Sequence, residues 1–261
     1  MLNRIIRKIF CLRKSTGAFN NVLESLDYFD SLKNLHLGKR GFVIGNGPSL
    51  SYDDLEKLKN EITIASNKIY LAFDNTQWRP NYYTVADPLV WEKIHKEIPD
   101  PLKIVHLPSY IQQLSCKCDV YQWKCFEKYS GDGNKKSDPP DFSDNISEGL
   151  FGSCTITFDN LQFAAHLGLS PIYLIGCDHF YSGEQNVTRD KPVEVKDQIN
   201  HFHKKYRTKG ELVNPAPIAV MERGYSEARK FSDQKKIPIF NATRGGYLDI
   251  FHRVDFESLF E

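Results

Sequence analysis

The chain has 261 residues, 41% of them hydrophobic and 26% charged, with a formal net charge of +1. This is the composition of an ordinary globular protein with one large core, and the near-neutral balance argues against a nucleic-acid partner, which would call for a strongly basic face. No apolar run approaches the ~20 residues needed to span a membrane.

In chain order, Met1 to Lys14 carries Arg4, Arg7, Lys8, Arg13 and Lys14 beside Leu2, Ile5, Ile6, Ile9, Phe10 and Leu12, without an acid. Drawn as a helix, it is basic and amphipathic, suited either to anionic lipid or to packing on its own domain. Residues 1–38 are therefore expected to form an N-terminal helical, membrane-associating segment ahead of a catalytic domain at 39–261. Gly41 to Gly45 predicts a first strand, Ser51 to Lys59 a polar helix, Glu61 to Ser66 a second strand, Tyr82 to Ala86 a third and Lys103 to Leu107 a fourth. Thr155 to Leu167 predicts a helix, Pro171 to Gly176 a buried strand, Glu222 to Lys235 the last long helix and Ile237 to Phe240 the strand after it. Alternating strands and helices imply an α/β fold: a mainly parallel, Rossmann-like sheet with helices on both faces. Two polar, poorly periodic stretches, about 116–149 and 181–217, read as insertions, of which one can act as a lid.

Parallel sheets bind ligands beyond the carboxyl ends of their strands. Asn46, Asn67, Asp87, Asp178 and Asn241 all stand at such ends. At the first of them, Gly45-Asn46-Gly47-Pro48-Ser49 marks a strand-to-helix turn. Gly45 and Gly47 allow close backbone approach, and Pro48 suits a first helical turn whose amides favour an anion. The same pattern also serves an ordinary tight turn, and it lacks the third glycine of the dinucleotide fingerprint G-x-G-x-x-G. No G-x-x-x-x-G-K-[ST] phosphate loop is present. The six cysteines, Cys11, Cys116, Cys118, Cys125, Cys154 and Cys177, have no metal-ligand spacing and read as reduced cytosolic thiols.

Taken together, Gly45-Asn46-Gly47-Pro48-Ser49-Leu50, Ser66-Asn67-Lys68, Gly152-Ser153 and Ile172-Tyr173-Leu174-Ile175-Gly176-Cys177-Asp178 form an ordered series. The series resembles bacterial lipooligosaccharide sialyltransferases. It also resembles a broader Rossmann-like group that includes archaeal 6-hydroxymethylpterin diphosphokinases and flagellin-modifying factors linked to nonulosonic acids. Asn200-His201-Phe202 and Ile239-Phe240-Asn241-Ala242-Thr243-Arg244-Gly245-Gly246 look like late motifs of that broader group. The resemblance implies a GT-A-like single domain with a lid insertion and transfer, with inversion, of a nonulosonate or related keto-acid sugar from a CMP-activated donor. The implied acceptor is a surface glycan or glycolipid, and the implied location is cytoplasmic, peripheral at the inner membrane face.

By the same resemblance Gly45, Asn46, Gly47 and Ser49 hold the nucleotide's phosphate and ribose, Asn67 contacts the donor, and Gly152-Ser153 lies near the cytidine phosphate. Asp178 follows the strand as the matching acid, and Tyr181 steadies the leaving phosphate. Histidine suits the base that removes the acceptor's proton, because its unperturbed pKa is near neutrality. His201, His203 and His179 are the candidates, with His201 and His203 expected on one face of an extended segment. Asn241 and Thr243 are expected either to reach the nucleotide or to fix their own loop. The glycosyltransferase reading implies neither metal nor cofactor. The alternatives are a Mg²⁺-dependent diphosphokinase, with the cation on Asp87 and Asp178, and a non-catalytic nucleotide-binding protein.

Overall fold

The computed structural model describes residues 20–126, 141–181, 191–195 and 200–261. The described residues form ten strands and five α-helices. β1 (Gly41–Ile44), β2 (Ile62–Ser66), β3 (Tyr82–Thr84), β4 (Ile104–Pro108) and β5 (Asp119–Trp123) precede β6 (Ile172–Ile175), β9 (Ile239–Asn241) and β10 (His252–Arg253) in one eight-stranded sheet. Its order is β10-β9-β6-β1-β2-β3-β4-β5, and every pairing is parallel. The helices are α1 (Val22–Leu32), α2 (Tyr52–Lys57), α3 (Pro88–Ile94), α4 (Ile156–His166) and α5 (Ile218–Lys235). This is the α/β, Rossmann-like fold expected from the sequence.

The central strands are buried on both faces, and their side chains alternate between two cores. Val43, Ile64 and Leu174 point into one core, shared with Phe29, Phe158, Leu161 and Ala228 from α1, α4 and α5. Phe42, Ile44, Ala65 and Ile175 point into the other, shared with Leu55 and Trp91 from α2 and α3. α4 is buried from Thr157 through His166, so its polar side chains need internal partners. Asn160 accepts from Thr84 Oγ1 at 2.7 Å, and Gln162 donates to the Phe151 carbonyl while accepting from the Phe151 and Ser143 amides.

Several expectations change. Pro48 does not open a helix: α2 begins at Tyr52, capped by a reciprocal pair in which Ser51 Oγ accepts from the Asp54 amide and Asp54 from the Ser51 amide. The segment 116–149 is not one long loop. It contains β5, paired with β4 over five residues, which its partly exposed edge position concealed from periodicity. The segment 181–217 contains a separate antiparallel pair, β7 (Val193–Glu194) and β8 (Leu212–Val213). The described part of the expected N-terminal segment, residues 20–38, packs on the domain that follows. Phe29 and Leu32 enter the core, and the amides of Asn34, His36 and Gly38 donate to the carbonyls of His166, Leu167 and Gly168, each at 2.9 Å. The basic stretch 1–14 lies outside the described residues, and among those described no helix is long and apolar enough to cross a membrane.

Candidate functional site

From β1 the chain proceeds through β2 to β5 on one side, whereas β6, on β1's other edge, leads to β9 and β10. The β1–β6 boundary is therefore a topological switch point, and a crevice opens beyond its carboxyl ends. Gly45, Asn46 and Gly47 from β1 face Gly176, Cys177, Asp178 and His179 from β6 across one lobe of that crevice. A second lobe is walled by Asp87, Tyr110, Gly152, Ser153, Asp159, Arg207 and Asn214. Asn67, Tyr181, Asn200, His201 and Tyr206 line both lobes, which are thus one continuous cleft.

The glycines of the β1 turn serve the meeting of two strands. The Gly45 amide donates to Ile175 O and the Gly47 amide to Gly176 O, both at 2.8 Å. A Cβ on Gly45 would stand 2.2 Å from Gly176 O, and one on Gly47 would stand 1.9 Å from Asp178 Oδ2. Asp178 then fills the turn: its carboxylate accepts from the Ser49 amide at 3.2 Å and from Ser49 Oγ at 2.8 Å. Burial pushes its carboxyl up, against the Ser49 donors that pull it down. The Ser49 amide expected to cradle phosphate is therefore occupied by a carboxylate of the chain itself.

Two buried side-chain oxygens in the same lobe have no donor within the protein. Asn46 Nδ2 donates to Ser66 O at 3.3 Å, while Asn46 Oδ1 and Asn67 Oδ1 are buried with no hydrogen-bond partner. Asn67 has φ +55°, a left-handed conformation that asparagine tolerates better than most side chains. Buried amide oxygens without donors are costly, and a ligand hydroxyl or amine would satisfy them where a phosphate oxygen could not.

His201 enters the cleft on the segment before β8. The Phe202 amide donates to Asn46 O at 3.0 Å, fastening this segment to the β1 turn. The His201 ring stacks on Tyr206, with centroids 3.9 Å apart and 9° between planes. Lys68 donates to Tyr206 O at 2.9 Å. Glu211, its side chain 5% exposed, gathers Arg207 at 3.0 Å, Lys93 at 3.1 Å and Lys68 at 3.7 Å. Burial would raise the Glu211 carboxyl, but the Thr208 amide and these cations outweigh it and hold it at about 2. His201 is lowered to about 3, first by burial and then by Arg207 and Lys68, so its imidazole is neutral.

The other histidines part company. His203 does not share a face with His201, because residues 201–206 form successive bends and not an extended strand. His203 Nδ1 accepts from the Lys205 amide at 3.1 Å, and the ring lines neither lobe. His179 does line the crevice, at φ +54°, with its ring edge-on to Tyr225 and its Nε2 3.5 Å from Glu222. Burial lowers its imidazole and Glu222 partly restores it.

Four expected donor-binding residues are otherwise engaged. Asn241 is fully buried, donating to Leu248 O and accepting from the Thr243 amide, while Thr243 Oγ1 accepts from the Cys177 amide. Asn241 and Thr243 lace their loop onto β6 and line neither lobe. Ser153 reaches the second lobe but donates its hydroxyl to Val220 O at 2.7 Å, packed where a Cβ on Gly224 would clash. Asp87 caps α3, accepting from the Leu89 amide at 2.9 Å, and takes a further bond from Asn214 Nδ2 at 2.9 Å. Asp87 and Asp178 are thus both committed to protein donors, and among the described residues no group of three or more His, Cys, Asp or Glu could hold a metal ion. The pair does not fit a shared Mg²⁺.

Tyr206, Arg207, Tyr110 and Asp159 in the cleft wall, and Lys68 and Glu211 behind it, were not assigned from sequence. Lys68 stood beside Asn67 in the Ser-Asn-Lys motif, and Tyr206 with several charges stood in the 181–217 segment, but their convergence depends on the fold.

A model of the family described as 6-hydroxymethylpterin diphosphokinase MptE-like matches residues 16–184. Among solved structures, the MAf glycosyltransferase from Magnetospirillum magneticum AMB-1 matches at 15% identity and a TM-score of 0.49, over 91% of this chain and 39% of that one. The chain thus spans about two-fifths of that protein's length. No curated protein matches.

Proposed function

The chain belongs to the 6-hydroxymethylpterin diphosphokinase MptE-like family, and from that premise we propose that it is a metal-independent, inverting glycosyltransferase using a CMP-activated sugar. The observation that carries this reading is the pair of unpartnered amide oxygens on Asn46 and Asn67, in a cleft that also holds the neutral imidazole of His201. Ribose or sugar hydroxyls are the donors those oxygens lack. The motif order supports a nonulosonate or related keto-acid donor and a surface glycan or glycolipid acceptor.

In the proposed reaction the acceptor oxygen attacks the anomeric carbon from the face opposite the CMP phosphate. The new bond forms as the bond to phosphate breaks, and the acceptor's proton passes to His201. Tyr181 and Tyr206, which line both lobes, are the proposed hydrogen-bond donors to the departing phosphate. Held at about 3, His201 is a weak base. An anionic donor would offset the charge of Arg207 and Lys68 and raise its proton affinity.

The second reading, a Mg²⁺-dependent diphosphokinase, draws on the family's description but would require Asp87 and Asp178 to leave their present partners. A thermal-shift panel of CMP, CDP, UDP, GDP and ATP, each with Mg²⁺ and with chelator, separates the two. CMP should stabilise the protein in chelator, by about 2.7 kcal/mol at a hundred times its Kd. Stabilisation by ATP with Mg²⁺ alone would replace the transferase reading, and stabilisation by none would leave a non-catalytic protein.

The basic stretch 1–14 is proposed to hold the enzyme at the inner membrane face. The full chain should co-sediment with anionic vesicles, and a chain lacking residues 1–14 should not. Undiminished binding after deletion would move the anchor elsewhere.

A further inference from the structure

Away from the crevice, the loop between β4 and β5 brings two cysteines together. Cys118 Sγ lies 3.0 Å from Cys116 Sγ, about 1 Å beyond the length of a covalent S–S bond. Cys118 is buried at 2% exposure, whereas Cys116 is partly exposed to solvent. The Cys118 S–H bond to Cys116 is the largest influence on the latter, holding its thiol at about 7, so that a sizeable fraction is thiolate near neutral pH. The same bond, with burial, pushes the Cys118 thiol up. The contrast with two other cysteines is chemical as well as positional. Burial pushes both Cys125 and Cys177 up to about 12, leaving them protonated. By spacing alone all of these read as reduced thiols.

We propose that Cys116 and Cys118 are a redox modification site: a partly exposed nucleophilic thiol and its buried resolving partner, oxidised by hydroperoxides to a reversible intrachain disulfide. The Cys116 thiolate attacks one peroxide oxygen and the O–O bond breaks. Cys116 becomes a sulfenic acid, and the departing oxygen takes a proton to leave as water or alcohol. The Cys118 sulfur then attacks Cys116 Sγ, forming the S–S bond and displacing hydroxide, which leaves as water with the proton of Cys118. Two thiols lose two electrons in all, and the peroxide gains them. A ring closed between residues two positions apart is small, which favours ready reduction by an external dithiol. The same loop carries Tyr110, whose hydroxyl donates to Ala86 O at 2.7 Å in the wall of the second lobe.

The test uses the full chain, reduced, freed of reductant and given equimolar hydrogen peroxide. Intact mass should fall by two hydrogens, peptide mapping should join Cys116 to Cys118, and dithiothreitol should reverse both. The Cys118→Ser variant should stop at the sulfenic acid, trapped by dimedone on Cys116, and Cys116→Ser should lose the reaction at this site. A wild-type chain that keeps both thiols, or joins a different pair, would overturn the proposal without reference to any variant. So would a folded Cys118→Ser chain with no dimedone on Cys116.

Discussion

Gly47 and Asp178 occupy one another's space: a Cβ on Gly47 would lie 1.9 Å from Asp178 Oδ2, and that carboxylate accepts both the amide and the hydroxyl of Ser49. The β1 and β6 turns at the switch point are thus one unit. Gly47→Ala should cost about 1–3 kcal/mol of stability as an overpacking change. Asp178→Ala should destabilise separately by leaving the Ser49 donors unpaired. Because the second change opens the space that the first needs, the double variant should lose less than the sum. Urea denaturation of all four chains reads this directly, and strict additivity would remove the steric explanation.

Asn46→Ala should weaken CMP binding at least tenfold, about 1.4 kcal/mol, while within the protein it loses only the long bonds of Nδ2 to Ser66, because its side-chain oxygen has no partner there. At Asn67 the better variant is Asn67→Gly, since φ +55° suits glycine and the conformational strain of alanine is avoided. Calorimetric titration with CMP in chelator checks both. Unchanged affinity in either variant would take that residue out of the ligand site.

His201→Ala should lower kcat for transfer from a CMP-sugar by roughly 10²–10⁴-fold while leaving CMP affinity nearly intact, as loss of a general base requires. His203→Ala should retain activity close to wild type, because its ring lines neither lobe. Release of CMP measures all three histidine variants. A dead His179→Ala beside an active His201→Ala would assign the base to His179, and full activity in all three would end histidine base catalysis here.

Acid should weaken the fold through two buried histidines. His106 is fully enclosed, its Nδ1–H donating to Tyr83 O at 2.8 Å and its Nε2 accepting from Tyr28 Oη at 2.9 Å. Burial lowers it to about 4, and His201 lies at about 3. Both values are below the ordinary histidine value of about 6.5. As pH falls below that value the unfolded chain binds protons that the folded chain does not, so stability is complete above it and declines toward pH 4. The decline per group can reach ~1.4 kcal/mol per pH unit. Urea midpoints at pH 7.5, 6 and 5 should fall in that order, and His106→Gln should flatten the trend. Equal midpoints would contradict both depressed values.

What the sequence alone determined is local. Apolar runs that stop abruptly at polar residues located the strands and placed Asn46, Asn67, Asp178 and His179 at their carboxyl ends, because a strand buried on both faces must end where polarity begins. The tertiary structure decided everything that depends on which strands are neighbours. Pairing of β1 with both β2 and β6 turned one strand end among several into the crevice. The same pairing gave Gly45 and Gly47 their purpose against β6 and gave the Ser49 amide to Asp178. Asn241 and Thr243 looked equivalent to Asn46 in sequence, yet β9 lies beyond β6 from the switch point, and their loop closes on itself. His201 and His203 are two residues apart and chemically identical. Only the bend that fastens Phe202 to Asn46 and stacks His201 on Tyr206 puts one in the cleft and leaves the other outside it, a contact between segments about 155 residues apart that no local period can encode.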